Sequence, residues 1–392
     1  MKDKQLKIFI AIFGFMMFLV NGDSYATSPM LIQIANEFGI NISRAGLTFV
    51  AYMIPFGLFT IIFGPLSEKY GKVIIINIAA IGTALFSIAG GLVNNFYLLC
   101  LCRILNGIFA AAIMPVSMAL IGETAGDDPD TLRSSIGKTM SLMFLGGAVA
   151  PAIGGLLSFI GSWRLVYIVY GIFEFVIGLL ILFKIRVSSV KKHTRGIYKE
   201  ALSNKELIQT VLLLSLIGMA VLGTFAYTGK FIEKSTGSSI LVVGLILSCF
   251  GIGSMAAGRM SVKIRKRLQT KYFMFAGLIG MISFAGFIFF PKIYVIPFAM
   301  FGYGFSFMLI QPMMIAKAQA SFPKHRGIVM SLASFNMCIG GGVGTFLNGI
   351  ILSNLKNYSY IYMIGAVLFF IVGIIATKLA LVDRNKMRTF AA

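Results

Sequence analysis

Two carboxyl groups lie deep inside apolar segments of this chain, and they are the side chains best placed to do chemistry there. Asp23 stands in the stretch FLVNGDSYATSP and Glu174 in the stretch YGIFEFVIG, whereas the other acidic residues fall in polar stretches or near the ends of apolar ones. Removal from water favours the neutral form of a carboxyl group, so such a group can take up a proton near neutral pH. A carboxyl group that meets two aqueous compartments in turn can therefore carry protons between them.

One basic residue, Arg103, also lies inside an apolar segment. With a rise of roughly 1.5 Å per helical residue, Asp23 and Arg103 fall at similar depths, and an ion pair would lower the cost of burying both charges. Either protonation of Asp23 loosens this contact and shifts a conformational equilibrium, or the pair only holds two helices together. For Glu174 we consider two roles, a second proton site and a protonated packing residue.

The segments that carry these residues are long enough to cross a membrane. Only 12% of the 392 residues are charged and 58% are hydrophobic, whereas about 25% of a soluble domain is charged. An apolar helix of about 20 residues spans the hydrocarbon core of a bilayer. We predict an all-α integral membrane protein with twelve such helices, of which the first is a true span and not a cleaved signal peptide. They cover about 8–33, 45–66, 73–93, 96–120, 137–158, 165–185, 207–228, 238–258, 272–290, 293–316, 327–352 and 359–381.

The net charge of +21 arises from basic residues on one side of the membrane and does not indicate a nucleic-acid partner. With twelve spans, 27 of the 34 Lys and Arg residues fall on the side that holds both termini. Cytoplasmic loops carry such an excess of basic residues. We therefore expect a multi-pass protein in the inner or plasma membrane of a bacterium, with both termini in the cytoplasm.

The chain repeats itself across a polar connection in its middle. The pattern G-x2-M-S-L occurs at 137–142 and again at 327–332, and G-x7-P occurs at 107–115 and again at 304–312. Both matches pair a span with the one six spans later, which indicates an internal repeat. We predict a six-helix bundle over 1–185, a cytoplasmic linker over 186–206 and a second six-helix bundle over 207–392.

Three motifs resemble those of the major facilitator superfamily. The loop after span 2 reads GPLSEKYGK (64–72) and resembles the loop signature of that family, and RILNGIFAA (103–111) resembles its span 4 signature. Span 5 resembles the antiporter signature of drug:proton exporters, except that alanine precedes its proline. The alternative for span 5 is a tightly packed helix face that does not affect the direction of transport. The residues of this motif are Gly137, Gly146, Ala150, Pro151, Gly154 and Gly155.

The resemblance implies a fold of two six-helix bundles that rock around a central cavity. Membership in the cavity helices of that family suggests lining residues, although each could instead pack between helices: Asn21, Tyr25, Asn106, Met114, Phe225, Tyr227, Met308, Gln311 and Asn336.

The resemblance also implies a gate in the loop after span 2. Glu68 would contact the positive N-terminal end of span 11 near Gly327, Lys69 would pair with Glu123, and Lys72 completes the motif. In the alternative, this loop is a solvated tight turn set by Gly64 and Gly71.

Together these features favour a secondary transporter that exports small amphipathic or lipophilic compounds in exchange for protons. The alternative is an exporter of a specific metabolite such as a sugar or an amino-acid derivative. A membrane enzyme is disfavoured because no cluster of histidine, cysteine and acidic residues has catalytic or metal-ligand spacing, and a channel is disfavoured because no ring of charges or filter sequence appears. We expect no cofactor, no metal and no disulfide; the partners are the substrate, protons and lipid, and the protein acts as a monomer powered by the proton gradient.

Overall fold

The computed structural model describes residues 2–126, 128–185 and 197–389, and helices make up nearly all of this part of the chain. Its α-helices are α1 (Lys2–Glu37), α2 (Ile42–Ala45), α3 (Leu47–Tyr70), α4 (Lys72–Leu92), α5 (Phe96–Ala110), α6 (Ile113–Ala125), α7 (Pro129–Ile160), α8 (Trp163–Lys184), α9 (Ile197–Ser203), α10 (Lys205–Thr236), α11 (Ile240–Leu268), α12 (Tyr272–Phe289), α13 (Ile296–Ser321), α14 (Arg326–Leu355) and α15 (Tyr358–Thr389).

Eleven continuous helical segments of the described chain are long and apolar enough to cross a membrane. One of them, Ile240–Phe289, contains both α11 and α12, which are joined by a short 3-10 turn at Gln269–Lys271. Counting these two helices separately gives the twelve spans that the sequence predicts. The second span consists of α2 and α3, and the fourth consists of α5 and α6.

The helices before and after α9 pack in the same way, as the internal repeat predicts. In the first half, α1 packs on α7, α3 on α5, and α4 on α8. In the second half, α10 packs on α14, α11 on α13, and α12 on α15. Each pair joins the first and fifth, the second and fourth, or the third and sixth spans of its half. The division of the chain at residues 185 and 207 stays a prediction.

Three pairs of helices make most of the contacts between the halves, and we call the outer two pairs seams. One seam is formed by α3 and α14, the other by α7 and α11, and α1 meets α10 between them. We call the side where α1 begins and where α3 meets α4 the basic face. The side where α1 ends and where α11 begins is the opposite face.

Local sequence fixes the helix boundaries at the basic face. The Asp128 carboxylate accepts a hydrogen bond from the Thr131 backbone N–H, 3.0 Å away, and so caps α7. Hydrogen bonding from the Thr131 side chain, and then from its backbone N–H, holds the pKa of the exposed Asp128 carboxyl below its ordinary value. Gly71 joins α3 to α4 with a φ of 102°, a conformation that glycine adopts without a steric penalty.

The described part of the expected linker is a short helix that touches both halves. Residues 186–196 lie outside the described residues, whereas Ile197–Ser203 forms α9 and packs Ala201 against Leu207 and Leu332 of the second half. The Tyr198 hydroxyl donates a hydrogen bond to the Ile61 carbonyl of α3 at 3.0 Å. Burial raises the pKa of Tyr198, so its hydroxyl remains a donor at neutral pH.

Candidate functional site

A cavity lies between the two halves, near the middle of the helices. Its inner part has a volume of about 130 Å³ and is lined by α1, α3, α6 and α7 from the first half and by α10, α13 and α14 from the second. Methionine and aromatic side chains supply about half of its wall, and the rest is aliphatic with a few amides, hydroxyls and a thiol. The residues that matter below are Asn21, Ser24, Tyr25, Tyr52, Met114, Phe144, Phe307 and Gln311.

A larger outer part of about 370 Å³ continues this cavity between α7 and α11. The two parts share Asn21, Tyr25, Phe144 and Phe307 in their walls, so they adjoin. The outer part follows α11 as far as Gly258 and Arg259, which lie toward the basic face. The cavity therefore extends toward the basic face on the α7–α11 side.

Toward the opposite face, close contacts between the halves seal the cavity. The Ser28 hydroxyl of α1 donates to the Phe225 carbonyl of α10 at 2.7 Å and accepts from the Gly229 backbone N–H at 3.1 Å. The rings of Tyr25, Phe225 and Phe250 pack edge to face or tilted, with centroids 5.1 to 5.8 Å apart. This aromatic cluster separates the cavity from the opposite face.

The motif in α7 presents small residues on two sides of the helix. Gly146 and Gly154 lie against the backbone of α1, where an added Cβ at Gly154 would stand 3.0 Å from the Ala26 carbonyl oxygen. Gly155 lies against α11, where an added Cβ would stand 2.8 Å from the Ile240 carbonyl oxygen. Small residues allow helix backbones to approach closely in membranes.

Two more residues of the motif also face either α1 or α11. Ala150 is fully buried near Gly22 of α1, and the Pro151 carbonyl lies beside Gly244 of α11. An added Cβ at Gly137 would have no atom within 4 Å in the part of the chain that the structure describes. The motif thus joins α7 to α1 within its half and to α11 across the seam.

Asp23 and Arg103 form the buried ion pair that their depths suggest. Arg103 Nη1 lies 2.5 Å from Asp23 Oδ2, and both side chains are only 2% to 3% exposed. The guanidinium also stands over the Tyr52 ring at 4.3 Å and over the Tyr167 ring at 5.1 Å, where cation–π attraction stabilises a desolvated cation. The pair joins α1 to α5, and its role in transport stays a prediction.

Asp23 is separated from the cavity by its neighbours. Asp23 does not line either part of the cavity, whereas its neighbour Ser24 and the ring of Tyr52 do. Tyr52 therefore stands between the cavity and the Asp23–Arg103 pair. Glu174 is also sealed, at 1% exposure, and its Oε2 atom has no hydrogen-bond partner among the described residues.

The loop between α3 and α4 is arranged differently from the predicted gate. Lys72, not Lys69, lies 2.9 Å from the Glu123 carboxylate, and Lys72 also lies 2.8 Å from Glu68. Lys69 instead stands over the neighbouring Tyr70 ring. The prediction for Lys69 was wrong because the turn at Gly71 places Lys72, the first residue of α4, beside both Glu68 and Glu123.

The contact of Glu68 with the start of α14 is also absent from the described residues. An added Cβ at Gly327 would have no atom of the described residues within 4 Å, and α3 meets α14 instead where Gly64 approaches Ser331. Glu68 and Glu123 both bind Lys72, so this ion cluster joins α3, α4 and α6 of the first half. These two ion pairs therefore lie within one bundle and stabilise it.

Lys72→Met should therefore destabilise the first half, whereas Lys69→Met should not. Lys72 is 1% exposed, and its loss leaves two carboxylates facing each other without the cation between them. We expect a loss of about 2 kcal/mol in the free energy of unfolding, the range for hydrogen bonds to charged groups. Thermal unfolding of the purified protein in detergent checks this, and equal stability of the two variants would contradict it.

Only part of the predicted cavity lining is found in the cavity. Asn21, Tyr25 and Met308 line the outer part, and Met114 and Gln311 line the inner part with the first two. The other four pack elsewhere: Asn106 donates to the Thr83 carbonyl, Tyr227 to the Thr345 carbonyl, Asn336 to the Leu332 carbonyl, and Phe225 packs in the sealing cluster. Membership in a cavity helix does not fix which side of the helix a residue occupies.

Three residues that sequence reasoning missed are placed to act at this site. Tyr52 and Tyr167 enclose the Arg103 guanidinium, and Arg259 lines the outer cavity. No local pattern distinguishes the two tyrosines from other aromatic residues in apolar spans. Arg259 directly follows Gly258, where the predicted span 238–258 ends, and a basic residue at that edge of a span was the available signal.

Comparisons with known proteins agree with this architecture. A family model described as Major Facilitator Superfamily matches residues 13–345. The chain is 22% identical to the uncharacterized MFS-type transporter YceJ of Bacillus subtilis over 92% of this chain and 93% of that protein. It is 28% identical to the multi-drug resistance efflux pump PmrA of Streptococcus pneumoniae over 63% of this chain and 64% of the pump.

Solved structures show the same fold at low identity. The nucleoside transporter NupG superposes with a TM-score of 0.75 at 14% identity, covering 95% of this chain and 99% of NupG. A bacterial homologue of the human lysosomal transporter Spinster, in an inward-facing and unoccupied conformation, gives a TM-score of 0.71 at 14% identity, covering 96% of this chain and 95% of that one. The match of the family model over most of the chain, the twelve spans and the paired bundles identify this chain as a multi-pass membrane transporter of the major facilitator superfamily.

Proposed function

We propose that this transporter exports small amphipathic compounds in exchange for protons by alternating access. The observation that carries the proposal is a buried Asp23–Arg103 pair separated from the cavity by one side chain, Tyr52. A carboxylate buried in a membrane protein is costly and marks proton relays and ion pathways. The cavity walls of methionine and aromatic residues suit amphipathic molecules better than sugars, which need many hydrogen-bonding groups.

The position of α1 suggests how a proton would act on the seal. Asp23 binds Arg103 of α5, and five residues later Ser28 of the same helix bonds to α10 of the other half. Protonation of Asp23 removes its attraction to Arg103, so α1 can shift relative to α5. That shift would weaken the Ser28 contacts and favour opening at the opposite face.

The proposal also assigns the basic face to the cytoplasm of a bacterial cell. Cytoplasmic loops are enriched in Lys and Arg, and the α11–α12 connection supplies several of them. The cavity would then be accessible from the cytoplasmic side in this structure, ready to take up a compound for export. Likeness to the efflux pump PmrA supports this direction.

Transport by purified protein in liposomes tests the proposal. An imposed pH gradient should drive accumulation of an amphipathic dye, and dye movement should in turn move protons in the opposite direction. Collapse of the gradient with a protonophore should stop net transport. An equal rate of dye transport with and without the pH gradient would show that protons do not drive transport.

A further inference from the structure

The wall of the cavity carries one charged side chain among the described residues, and that side chain is a cation. Arg259 lines the outer part, and no aspartate or glutamate lines either part. The buried Asp23 of the first half is already paired with Arg103 behind Tyr52. A positively charged substrate would therefore meet no carboxylate in this cavity and would face the Arg259 guanidinium.

Arg259 is placed to receive a ligand. Its side chain is exposed, and no carboxylate of the described chain lies within ion-pair distance of it. It lies in α11 near the end of the outer cavity that is toward the basic face, beside Gly258 and near Met308. The planar guanidinium binds carboxylate, sulfate and phosphate groups through paired, charge-assisted hydrogen bonds.

The remainder of the cavity is suited to an apolar tail. From Arg259 the outer part leads past Met308 and Phe307 to the inner part. There the wall holds seven methionines, which adapt to tails of different shape. They are Met17, Met53, Met114, Met140, Met143, Met330 and Met337, on four helices of the first half and one of the second.

We propose that the substrate is an amphiphilic anion, whose acidic head binds Arg259 and whose tail occupies the methionine-rich inner cavity. This inference rests on the proposed function as an exporter and adds the sign of the substrate's charge. It reverses the charge preference expected of a pump for lipophilic cations. It also has an electrical consequence, because exchange of one monovalent anion for one proton moves two charges per cycle, whereas exchange of a monovalent cation for one proton moves none.

A binding measurement without any proton gradient tests the charge preference. The protein is placed in nanodiscs of phosphatidylcholine, and binding of radiolabelled decyl phosphate is measured with decyltrimethylammonium as the competitor of equal tail length. We expect the cation to compete at least about tenfold more weakly than unlabelled decyl phosphate, because charge-assisted hydrogen bonds to the head are missing. Equal or better competition by the cation would overturn the proposal.

Variants of Arg259 test the assignment of the head. Arg259→Gln should weaken binding of decyl phosphate about tenfold or more, and Arg259→Glu should abolish it. Arg267→Gln is the matched control, because Arg267 lies on the same helix and is exposed but does not line the cavity. Unchanged anion binding by Arg259→Gln would overturn the role of this residue.

The same assay separates a transported anion from a lipid headgroup. Replacing a third of the phosphatidylcholine with phosphatidylglycerol should leave the binding of decyl phosphate by the normal protein in place. If the added lipid lowers binding to the level of Arg259→Gln, the ligand of Arg259 is a bilayer headgroup and the proposal fails. Normal anion binding without gradient-driven efflux would instead overturn the proposed export and leave the charge preference intact.

Discussion

Replacing Asp23 with asparagine should reduce proton-driven efflux to the rate of protein-free liposomes while the protein remains folded. Asparagine has nearly the same shape as aspartate, and its amide oxygen can still accept the hydrogen bond from Arg103. The amide cannot take up a proton near neutral pH, so the cycle loses the event that changes the Asp23–Arg103 contact. Uptake of a substrate dye into inverted liposomes under an imposed pH gradient measures the loss.

Asp128→Asn provides the control for this experiment. Asp128 is an exposed carboxylate that caps α7, and asparagine is an equally good cap. This substitution removes one negative charge but leaves the buried pair untouched, so efflux should continue at the normal rate. Robust gradient-driven efflux by Asp23→Asn would show that another group carries the proton, and Glu174→Gln would then be the next variant to measure.

Replacing Gly155 with leucine should abolish transport by preventing closure at the opposite face. An added Cβ at Gly155 would stand 2.8 Å from the Ile240 carbonyl oxygen and 2.9 Å from Gly244 Cα. Both neighbours are backbone atoms of α11, so the clash cannot be relieved by a side-chain rotation. Overpacking of about 3 kcal/mol would lower the population of the closed arrangement roughly a hundredfold.

Gly137→Leu is the matched control because it changes the same motif in the same helix. Gly137 is exposed, and no described atom would lie within 4 Å of a Cβ added to it. Spin labels on cysteines at positions 159 and 239, near the ends of α7 and α11 at the opposite face, report the separation of the two helices. We expect a longer distance in Gly155→Leu only, and a normal distance with normal transport would show that this contact is not needed.

The fold could be predicted from the sequence because membrane spans and repeats leave strong signals. Apolar length gave the twelve spans, and the repeated glycine patterns gave the pairing of the two halves. The contact of Asp23 with Arg103 was also accessible, since the helical rise places both residues at the same depth. These predictions depend on distances along helices, which the sequence determines directly.

Predictions of which side of a helix a side chain occupies were less successful. Each residue turns the direction of its side chain by about 100°, and in an apolar span both the cavity and neighbouring helices present similar surfaces. Asn106 and Asn336 therefore bind carbonyls within their own halves although they belong to the expected cavity helices. The ion pair of Glu123 was assigned to Lys69 instead of Lys72 for a related reason, because the turn at Gly71 determines which lysine points inward.

In this structure the two helices of the α3–α14 seam stay in contact toward the basic face, whereas those of the α7–α11 seam separate there. Along α3 and α14, contact continues from Ile54 near Gly342, through Gly57 near Cys338, to Gly64 near Ser331. Along α7 and α11, contact ends where Gly251 meets Ala148, and the outer cavity begins there. The α3–α14 seam therefore lies closest to the axis about which the bundles would rotate, so the largest displacements in a transport cycle should occur across α7 and α11, with little change in spacing across α3 and α14.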